Sequence, residues 1–232
     1  MAEPSRIKTS ELRARIEPIQ ARAQRSRQKI LDAAHALLKA HGAHALTTVA
    51  IAEASGMSVG ALYRFFPNKE AIICHLYEDK LVQIRALGVA NRRGDPSTTT
   101  WRAFFGGYFA ALKAAERQVD FDFSLADAIF MMPRLWEIDT RHGVLLADQF
   151  AADLKLFGST WSDEALFDLA VNLYALDAST WACWRYSGRY PALAIERLTE
   201  ASLGMMRPAL EGEPEPTNLT ITRDQMLRAA GG

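Results

Sequence analysis

The sequence predicts an all-α fold made of two helical domains. Apolar residues recur at intervals of three and four along much of the 232-residue chain, which is the spacing of amphipathic helices. Period-2 alternation and Asn-Gly or Asp-Gly turns never occur together, so no β-sheet is expected. All five tryptophans follow residue 100. The larger core is therefore expected in the C-terminal part of the chain, with a smaller unit before it.

The first predicted helix runs from about Gln20 to Gly42. Its apolar stripe is formed by Ile30, Ala34, Leu37 and Leu38. Gly42 is suited to a left-handed helix end. Residues 1–20 are expected to form a loose basic arm before this helix, because 8 Lys and Arg stand against 3 Asp and Glu in residues 1–30.

Two short helices and the start of a long one follow the first helix. Thr47 is a suitable N-cap for the second helix, which Gly56 ends. Ser58 caps a third helix that extends to about Phe66, because Pro67 disfavours a simple continuation. Asn68 begins the fourth. The predicted N-terminal domain is residues 21–67.

The predicted C-terminal domain, residues 68–211, is a bundle of long helices. Helix 4 is predicted to run from about Lys69 to Gly88, followed by a loop over residues 91–97. The fifth to ninth helices are predicted at 100–117, 123–132, 133–157, 162–187 and 191–210. Residues 212–232 are expected to be a flexible tail, with a stiff Glu-Pro-Glu-Pro stretch and one loose helical turn capped by Thr222.

The net charge of zero conceals a difference between the two parts of the chain. Residues 1–85 carry 13 Lys and Arg against 8 Asp and Glu, whereas residues 86–232 carry 14 against 19. The N-terminal excess of five positive charges suits a polyanionic partner. A solubilising role for the basic arm is the alternative interpretation of the same residues.

The second and third helices, joined by Ser55-Gly56-Met57, form a helix-turn-helix pattern. The motif and its flanking helices contain six short sequence segments in a fixed order and spacing, namely ILDAA, HG, LTT, AIAEASG, SVGALY and FPNKEAI. Over roughly residues 25–73 this run closely resembles the DNA-binding domain of the TetR family of bacterial regulators. The resemblance implies a ligand-responsive transcriptional repressor that binds a palindromic double-stranded DNA operator as a homodimer.

Physical chemistry and the resemblance assign roles to residues in this region. Thr47 and Thr48 lie at a helix N-terminus, which attracts phosphate oxygens, and the Tyr63 hydroxyl can also reach a phosphate. The resemblance places Thr47, Thr48, Tyr63 and Lys69 against the DNA backbone, and Val59, Gly60, Ala61 and Phe65 against bases. Phe65 departs from the histidine common in the family and cannot donate a hydrogen bond. The full predicted set is Arg25, Arg27, Thr47, Thr48, Ser58, Val59, Gly60, Ala61, Tyr63, Arg64, Phe65 and Lys69.

Two apolar faces on the predicted eighth helix indicate two packing partners. One face carries Leu166, Leu169, Leu173 and Leu176, and the other carries Phe167, Val171, Tyr174, Ala178 and Trp181. Together with Leu198, Ala201, Met205 and Met206 of the ninth helix, one face can complete a four-helix homodimer interface. A deeply buried central helix is the alternative. The resemblance supports the dimer through helices 8 and 9.

An aromatic set on the fifth to seventh helices is the candidate binding pocket for a small-molecule effector. Its members are Trp101, Phe105, Tyr108, Phe130, Met131 and Trp136. Asp127, Asp139, Arg141 and His142 are polar residues near it in sequence. Plain core packing is the alternative for each of these aromatic residues.

The sequence offers little support for other classes of function. Gly56-Met57-Ser58-Val59-Gly60 matches the G-x-S-x-G elbow of hydrolases, but that elbow must follow a β-strand. His35, His41 and His44 lack the spacing of a metal motif. We therefore expect no catalytic residue, cofactor, metal or membrane association. A cytoplasmic location is expected because no apolar run could span a bilayer or serve as a signal peptide.

Overall fold

The structure is a computed structural model. It describes residues 9–43, 46–90, 95, 97–119, 129, 132–187 and 192–231, and the regular secondary structure within these residues is all helical. Its helices are α1 (Thr9–His41), α2 (Thr48–Ser55), α3 (Val59–Tyr63), α4 (Lys69–Ala90), α5 (Trp101–Gln118), α6 (Pro133–Leu156), α7 (Asp163–Ser187), α8 (Ala192–Leu210) and α9 (Arg223–Ala229). Most of the helix predicted at 123–132 lies outside the described residues. The chain forms two compact units, Met1–Leu76 and Tyr77–Gly232.

The core of the first unit is built from the predicted stripe of α1 and from the apolar faces of the short helices. Ile30, Leu46, Ile51, Leu62 and Ile72 are all at most 1% exposed. Burying five such side chains removes their apolar surface from water, and each contributes about 1.5–3 kcal/mol to stability. This small core fixes the positions of α2 and α3.

Helix α1 begins much earlier than the sequence predicts. It starts at Thr9 rather than near Gln20, so residues 9–20 continue the helix and the prediction of a loose arm over residues 1–20 is wrong for them. Residues 1–8 lie outside the described part. Charge density alone favours a loose arm, but Ala, Arg, Gln and Glu in residues 9–20 all have high helix propensity.

Helix α3 is shorter than the sequence predicts. It ends at Tyr63 instead of about Phe66, and Arg64 and Phe65 form a turn. Pro67 accounts for part of the difference, because a proline disfavours the helical conformation of the residue before it. The buried Phe66 side chain, 4% exposed, then holds the turn against the core of the first unit.

The second unit is a bundle in which α7 packs against α6 on one side and α8 on the other, while α5 also packs against α8. Its observed helices agree with the predicted ones to within about two residues at each described end. An aromatic cluster lies within the bundle, comprising Phe104, Phe105, Tyr108, Phe109, Phe150 and Phe157. The boundary between the two units falls inside α4, later than the predicted boundary at residue 67.

Both predicted apolar faces of α7 are largely covered within the chain itself. Leu166, Leu173 and Phe167 are at most 3% exposed. The side chain of Trp181 lies outside the described residues. The first half of both apolar faces therefore needs no second subunit to cover it, and farther along α7 residues such as Ala175 are exposed.

The prediction of a flexible tail over residues 212–232 is wrong. The segment after α8 lies along the bundle, where Trp161 Nε1 donates to the Glu213 carbonyl at 2.7 Å. The buried Asp168 carboxylate accepts two backbone N–H groups through Oδ1, from Thr220 at 2.7 Å and Ile221 at 2.8 Å. We call residues 213–230 the C-terminal strap.

Helix α9 ends the strap and is packed on α6 and α7. Thr222 caps it and forms a full capping box with Gln225. Arg223 makes two hydrogen bonds to the Asp148 carboxylate, at 2.9 and 2.8 Å, and Met226 is 7% exposed. The sequence predicts this cap because it is formed by residues three positions apart, whereas the long-range contacts that hold the helix leave no local pattern in the sequence.

Candidate nucleic-acid interface and buried cavity

The turn between α2 and α3 has the backbone that a helix-turn-helix requires. Gly56 has a φ of +67°, in the left-handed region that glycine adopts without strain. The next amide, of Met57, donates to the Ala52 carbonyl at 2.9 Å and so closes the end of α2. A side chain at Gly56 would strain this turn and change the angle between the two helices.

Side-chain caps fix the N-termini of the three helices that surround the turn. Thr47 Oγ1 accepts from the Ala50 amide at 3.1 Å, and Ser58 Oγ accepts from Ala61 at 3.2 Å. The Asn68 side chain accepts from the Ala71 amide at 2.8 Å in the first turn of α4. The hydrolase alternative for Ser58 is wrong, because this residue follows a helix and its hydroxyl serves as a cap.

The predicted phosphate-contacting residues are all at least partly accessible on the surface of the first unit. Thr47 and Tyr63 are exposed, while Thr48 and Lys69 are half-buried. The hydroxyls of Thr48 and Tyr63 are 3.3 Å apart, although the two residues belong to different helices. This contact joins the start of α2 to the end of α3 and presents two hydroxyl groups side by side.

The predicted base-facing residues are on α3 and the turn after it. Gly60 and Arg64 are exposed, while Val59, Ala61 and Phe65 are half-buried. Nothing lies within 4 Å of the place where a side chain on Gly60 would begin, so the backbone of α3 is open there. Leu62 alone faces inward at 0% exposure and anchors the helix to the core.

The two arginines predicted to bind DNA from the first helix have different surroundings. Arg25 is exposed and donates only to a carbonyl of its own helix, that of Ala21, at 3.3 Å. The Arg27 guanidinium lies 5.4 Å from the ring centre of Phe66, and its Nη2 is 3.3 Å from His75 Nδ1. Arg27 thus links α1 to α4, a role that sequence reasoning missed because the partner is 48 positions away.

Of the residues predicted to line an effector pocket, the four that the structure describes differ in their burial. Phe105 and Tyr108 belong to the aromatic cluster and are 0% and 4% exposed. Trp101 is half-buried, with the Arg102 guanidinium 4.5 Å from its ring centre, and Trp136 is exposed. Phe130 and Met131 lie outside the described residues.

A buried cavity of about 30 Å³ lies within the second unit, and none of the four described residues predicted to bind an effector is in its lining. Its walls combine apolar side chains with a smaller polar group. They are Leu81, Ile84, Phe109, Leu112, Glu116, His142, Leu146, Phe150, Leu173, Tyr174 and Asp177. Of the polar residues that sequence reasoning placed near a pocket, His142 is in this wall.

Tyr174, in the cavity wall, shares a carboxylate with a second tyrosine, Tyr77. The hydroxyls of Tyr77 and Tyr174 donate to Asp139 Oδ1 at 2.6 and 2.8 Å. Burial raises the pKa of Asp139. The two hydrogen bonds lower it, but by less, so the pKa stays above the ordinary value. Burial and the neighbouring carboxylate raise the pKa of both tyrosines well above the ordinary value, so both stay protonated donors.

His142 is a buried, neutral residue in the cavity wall. Burial, with the charge of Arg85, lowers its pKa to about 3. Arg85 Nη1 is 2.5 Å from His142 Nδ1. Because a guanidinium can only donate, Nδ1 is the acceptor and the ring proton is on Nε2.

A buried ion cluster forms another part of the cavity surroundings. Lys113, 1% exposed, donates to Glu116 at 3.1 Å and to Asp177 at 2.8 Å. Burial lowers the pKa of Lys113, but the two carboxylates outweigh it and leave the pKa raised. Lys113 is therefore charged, and it brings α5 and α7 together.

The exposed helix-turn-helix, joined to a helical bundle, defines the class of the protein as a DNA-binding transcriptional regulator. Residues 30–76 match the family model described as bacterial regulatory proteins, tetR family. This region, which contains the helix-turn-helix, is therefore similar to the DNA-binding domain of that family. Within the part of the chain that the structure describes, no helix is long and apolar enough to cross a membrane.

Solved structures of several bacterial regulators share the fold. A transcriptional regulator from Rhodococcus sp. Rha1 has 18% identity and a TM-score of 0.64, with 81% of this chain and 99% of that chain covered. A TetR-family regulator from Streptomyces coelicolor has 20% identity and a TM-score of 0.60, with 80% of this chain and 99% of that chain covered. The fatty acid degradation regulator FadR from Bacillus halodurans has 18% identity and a TM-score of 0.54, with 82% of this chain and 97% of that chain covered. No curated protein sequence matches the chain.

Proposed function

We propose that this regulator is a repressor that binds a palindromic operator as a homodimer and is released by a small-molecule effector. The observation that carries the proposal is the outward-facing helix-turn-helix within the matched region, residues 30–76. A buried cavity in the second unit supplies a place for an effector. The protein acts by binding and not by catalysis, and a role on DNA implies a cytoplasmic location.

Phosphate contacts are proposed for Thr47, Thr48, Tyr63 and Lys69. The paired hydroxyls of Thr48 and Tyr63 support this role, because both can turn toward one phosphate oxygen. Arg64, which is exposed beside Tyr63, adds a charge to the same surface. Such contacts position the protein on the duplex without reading its sequence.

Sequence readout is proposed for Val59, Gly60, Ala61 and Phe65. The open backbone at Gly60 supports this role, because it lets α3 approach base edges closely in the major groove. Val59, Ala61 and Phe65 offer apolar contacts, for which a thymine methyl is the natural partner. Ser58 orients α3 through its cap.

The N-terminal basic residues are proposed to strengthen binding through charge. Arg22 and Arg25 are exposed on α1, so they can neutralise phosphates beside the groove. Arg27 is engaged with Phe66 and His75, and its proposed role is to hold α1 at this position while its charge adds to the surface.

Dimerisation is proposed through the exposed sides of α7 and α8. Ala175 on α7 and Ala201 and Gly204 on α8 are exposed small residues that permit close helix packing. Four residues of α8, the predicted ninth helix, were expected to face a partner. Leu198 and Met206 are buried within the chain, so only Ala201 and Met205 remain for a partner. Two-fold pairing would place the two recognition helices about 34–36 Å apart, one turn of DNA.

Helix α4 is the proposed lever between effector and operator. It directly follows the recognition helix, and farther along it supplies Leu81 and Ile84 to the cavity wall. Its 22 residues span about 33 Å at 1.5 Å per residue. A ligand that widens the cavity pushes α4, and the spacing of the recognition helices changes. A coupling of about 1–3 kcal/mol lowers operator affinity about 5- to 150-fold.

DNA binding to the region beside the protein's own coding sequence tests the proposal. Fluorescence anisotropy with labelled duplexes should show tight binding by a dimer, with log K falling linearly as log salt rises. A scrambled duplex of equal composition is the control. Absence of salt-dependent binding to any duplex would overturn the proposed function.

A further inference from the structure

The lining of the buried cavity contains one histidine, His142, whose two ring nitrogens have different surroundings. Its Nδ1 is 2.5 Å from Nη1 of Arg85. A guanidinium only donates, so Nδ1 is the acceptor, and the single proton of the neutral ring is on Nε2. The side chain is 5% exposed, and burial beside Arg85 lowers its pKa to about 3, so the ring stays neutral near pH 7. The Nε2–H group is therefore a donor in a fixed tautomer.

The Nε2–H donor of His142 has no hydrogen-bond acceptor among the residues that the structure describes. The neighbouring Tyr174 ring does not serve as one, because the two ring centres are 5.8 Å apart. A buried donor without an acceptor is destabilising, and such groups in proteins are usually completed by a bound molecule. The donor therefore indicates the chemistry of what the cavity binds.

The position of Arg85 shows which ring nitrogen of His142 is nearer the cavity. His142 lines the cavity and Arg85 does not. Because Nδ1 faces Arg85 and the two nitrogens of an imidazole diverge, Nε2 is on the side of the cavity. The other polar groups of the described lining do not donate into it. The Tyr174 hydroxyl gives its proton to Asp139, and the carboxylates in the lining are acceptors.

The size and the apolar walls of the cavity restrict the rest of the ligand. Phe109 and Phe150 both line it, with ring centres 5.8 Å apart and planes inclined by 24°. The volume of about 30 Å³ holds one water-sized group, such as a carbonyl oxygen, and side chains must move apart for a larger body. A charged ligand would exchange its hydration shell for one neutral donor, which is costly, whereas an uncharged acceptor gives up much less.

We infer that the cavity binds a compact, uncharged carbonyl compound, whose oxygen accepts a hydrogen bond from His142 Nε2 and whose apolar body lies against Phe109 and Phe150. The role of this compound as the effector rests on the proposed function. Arg85 belongs to α4, so a ligand bound to His142 is linked through two side chains to the proposed lever. Ligand binding and the release of DNA are separate measurements, so each can fail alone.

Nitrogen NMR of the full-length protein with isotope-labelled histidine tests the donor directly. Cyclohexanone and methylenecyclohexane are the probes, because they have the same ring and nearly the same shape but only the ketone can accept a hydrogen bond. We expect His142 to carry its proton on Nε2 in the free protein, and the ketone to shift this resonance much more than the hydrocarbon does. A proton on Nδ1, equal shifts with both compounds, or no binding of the ketone would overturn the inference.

A matched pair of variants measures the hydrogen bond. His142→Asn keeps an acceptor for Arg85, but its shorter amide has no donor at the place of Nε2. The affinity for the ketone relative to the hydrocarbon should therefore fall about 2- to 12-fold. The same change at His41, an exposed histidine at the end of α1, should leave this ratio as in the parent. A ratio that is the same in all three proteins would overturn the inference.

The ratio of the two affinities is compared between proteins because the ketone and the hydrocarbon are hydrated differently in water, and this difference cancels. Unfolding curves check that both variants fold. The resonance shifts in the unchanged protein do not depend on either variant.

Cyclohexanecarboxylate tests whether the ligand is uncharged, since it has the same ring and an ionised acceptor. We expect it to bind at least about tenfold more weakly than cyclohexanone, because one neutral donor does not replace the hydration of an anion. Equal or tighter binding of the carboxylate would overturn the inference.

Operator binding in the presence of the same compounds separates the two proposals. A ketone that shifts the Nε2 resonance of His142 but leaves operator affinity unchanged contradicts the effector role and supports the ligand chemistry. A carboxylate that binds more tightly than the ketone and releases DNA supports the effector role and overturns the ligand chemistry.

Discussion

Thr48 and Tyr63 hold their hydroxyl groups 3.3 Å apart across the two helices of the helix-turn-helix. The pair makes the N-terminus of α2 and the end of α3 a single polar surface. A phosphate oxygen in front of it could accept hydrogen bonds from both hydroxyls.

Tyr63→Phe should weaken binding to operator and to unrelated duplexes by the same factor, about 2- to 12-fold, because it removes one phosphate hydrogen bond worth about 0.5–1.5 kcal/mol. Tyr63 is 50% exposed, so the free energy of unfolding should hardly change. Anisotropy titrations on both duplexes measure this. A loss confined to the operator would mean that Tyr63 reads bases.

Ala61→Leu should change which operator variants bind best, because the larger side chain alters contacts at base edges. A single poorly matched base pair typically costs about 1–3 kcal/mol. Binding to a library of operators with one altered pair measures the change in ranking. Tyr63→Phe serves as the comparison, and a uniform loss for Ala61→Leu would contradict its base-facing role.

Gly143→Ala should destabilise the second unit. A Cβ there would lie 2.8 Å from Met226 Cε and 2.9 Å from Tyr174 Cε1. The methionine end can move, but the Tyr174 ring is fixed by its bond to Asp139, so a loss of about 1–3 kcal/mol in unfolding free energy is expected.

Urea denaturation measures the effect, with Gly107→Ala as the control. Gly107 is an exposed helical glycine with nothing within 4 Å of an added Cβ, so its change should stabilise by up to about 1 kcal/mol. Adding Met226→Ala to Gly143→Ala should recover part of the loss. A Gly143→Ala protein as stable as the parent would contradict the close packing of α6 and α9.

Stability should fall as the pH falls below 6.5, because His142 is neutral in the folded protein with a pKa of about 3 and has the ordinary value of 6.5 when unfolded. Between these values the unfolded chain binds one more proton, so unfolding is favoured by up to about 1.4 kcal/mol per pH unit. The raised pKa of Asp139 acts in the opposite direction.

Unfolding free energies between pH 5 and 6.5 measure this slope, with His142→Asn as the comparison. The variant has no histidine to protonate at this position. It should therefore take up nearly one proton fewer on unfolding, and its unfolding free energy should change less steeply with pH. Identical slopes in the two proteins would show that His142 is protonated in the folded state.

Asp168→Ala should release the C-terminal strap, because the amides of Thr220 and Ile221 lose their shared acceptor. A loss of about 1–3 kcal/mol is expected, and proteolysis should cut within residues 213–222 first. Asp168→Asn keeps one oxygen in place and should be milder. Protease resistance equal to that of the parent in Asp168→Ala would show that other contacts suffice.

The sequence predicted those parts of the fold that local signals determine. Thr47, Gly56, Ser58 and Asn68 each act through groups within about five positions, and the structure confirms the helix boundaries that they indicate. Helix-breaking and capping residues restrict the backbone directly, so their effect can be read without knowing the tertiary structure.

Contacts between distant residues determined the parts that could not be predicted. Arg27 meets His75 across 48 positions, Lys113 meets Asp177 across 64, and Asp168 binds the strap across 52. Phe105 and Tyr108 were candidates for a pocket, yet they fill the core, because an aromatic stripe has the same spacing in both cases. A helix can have two apolar faces, and tertiary packing determines which of them lines a cavity. The sequence alone does not show this packing.

The C-terminal strap sets an order in which the two units can form during synthesis. Residues 1–76 contain their own core and can fold as soon as they leave the ribosome. The second unit lacks its last helix until residues 213–230 have emerged, and Met226 then covers Gly143 and Tyr174 beside the cavity. In a nascent chain the helix-turn-helix can therefore form before the bundle of the second unit is complete.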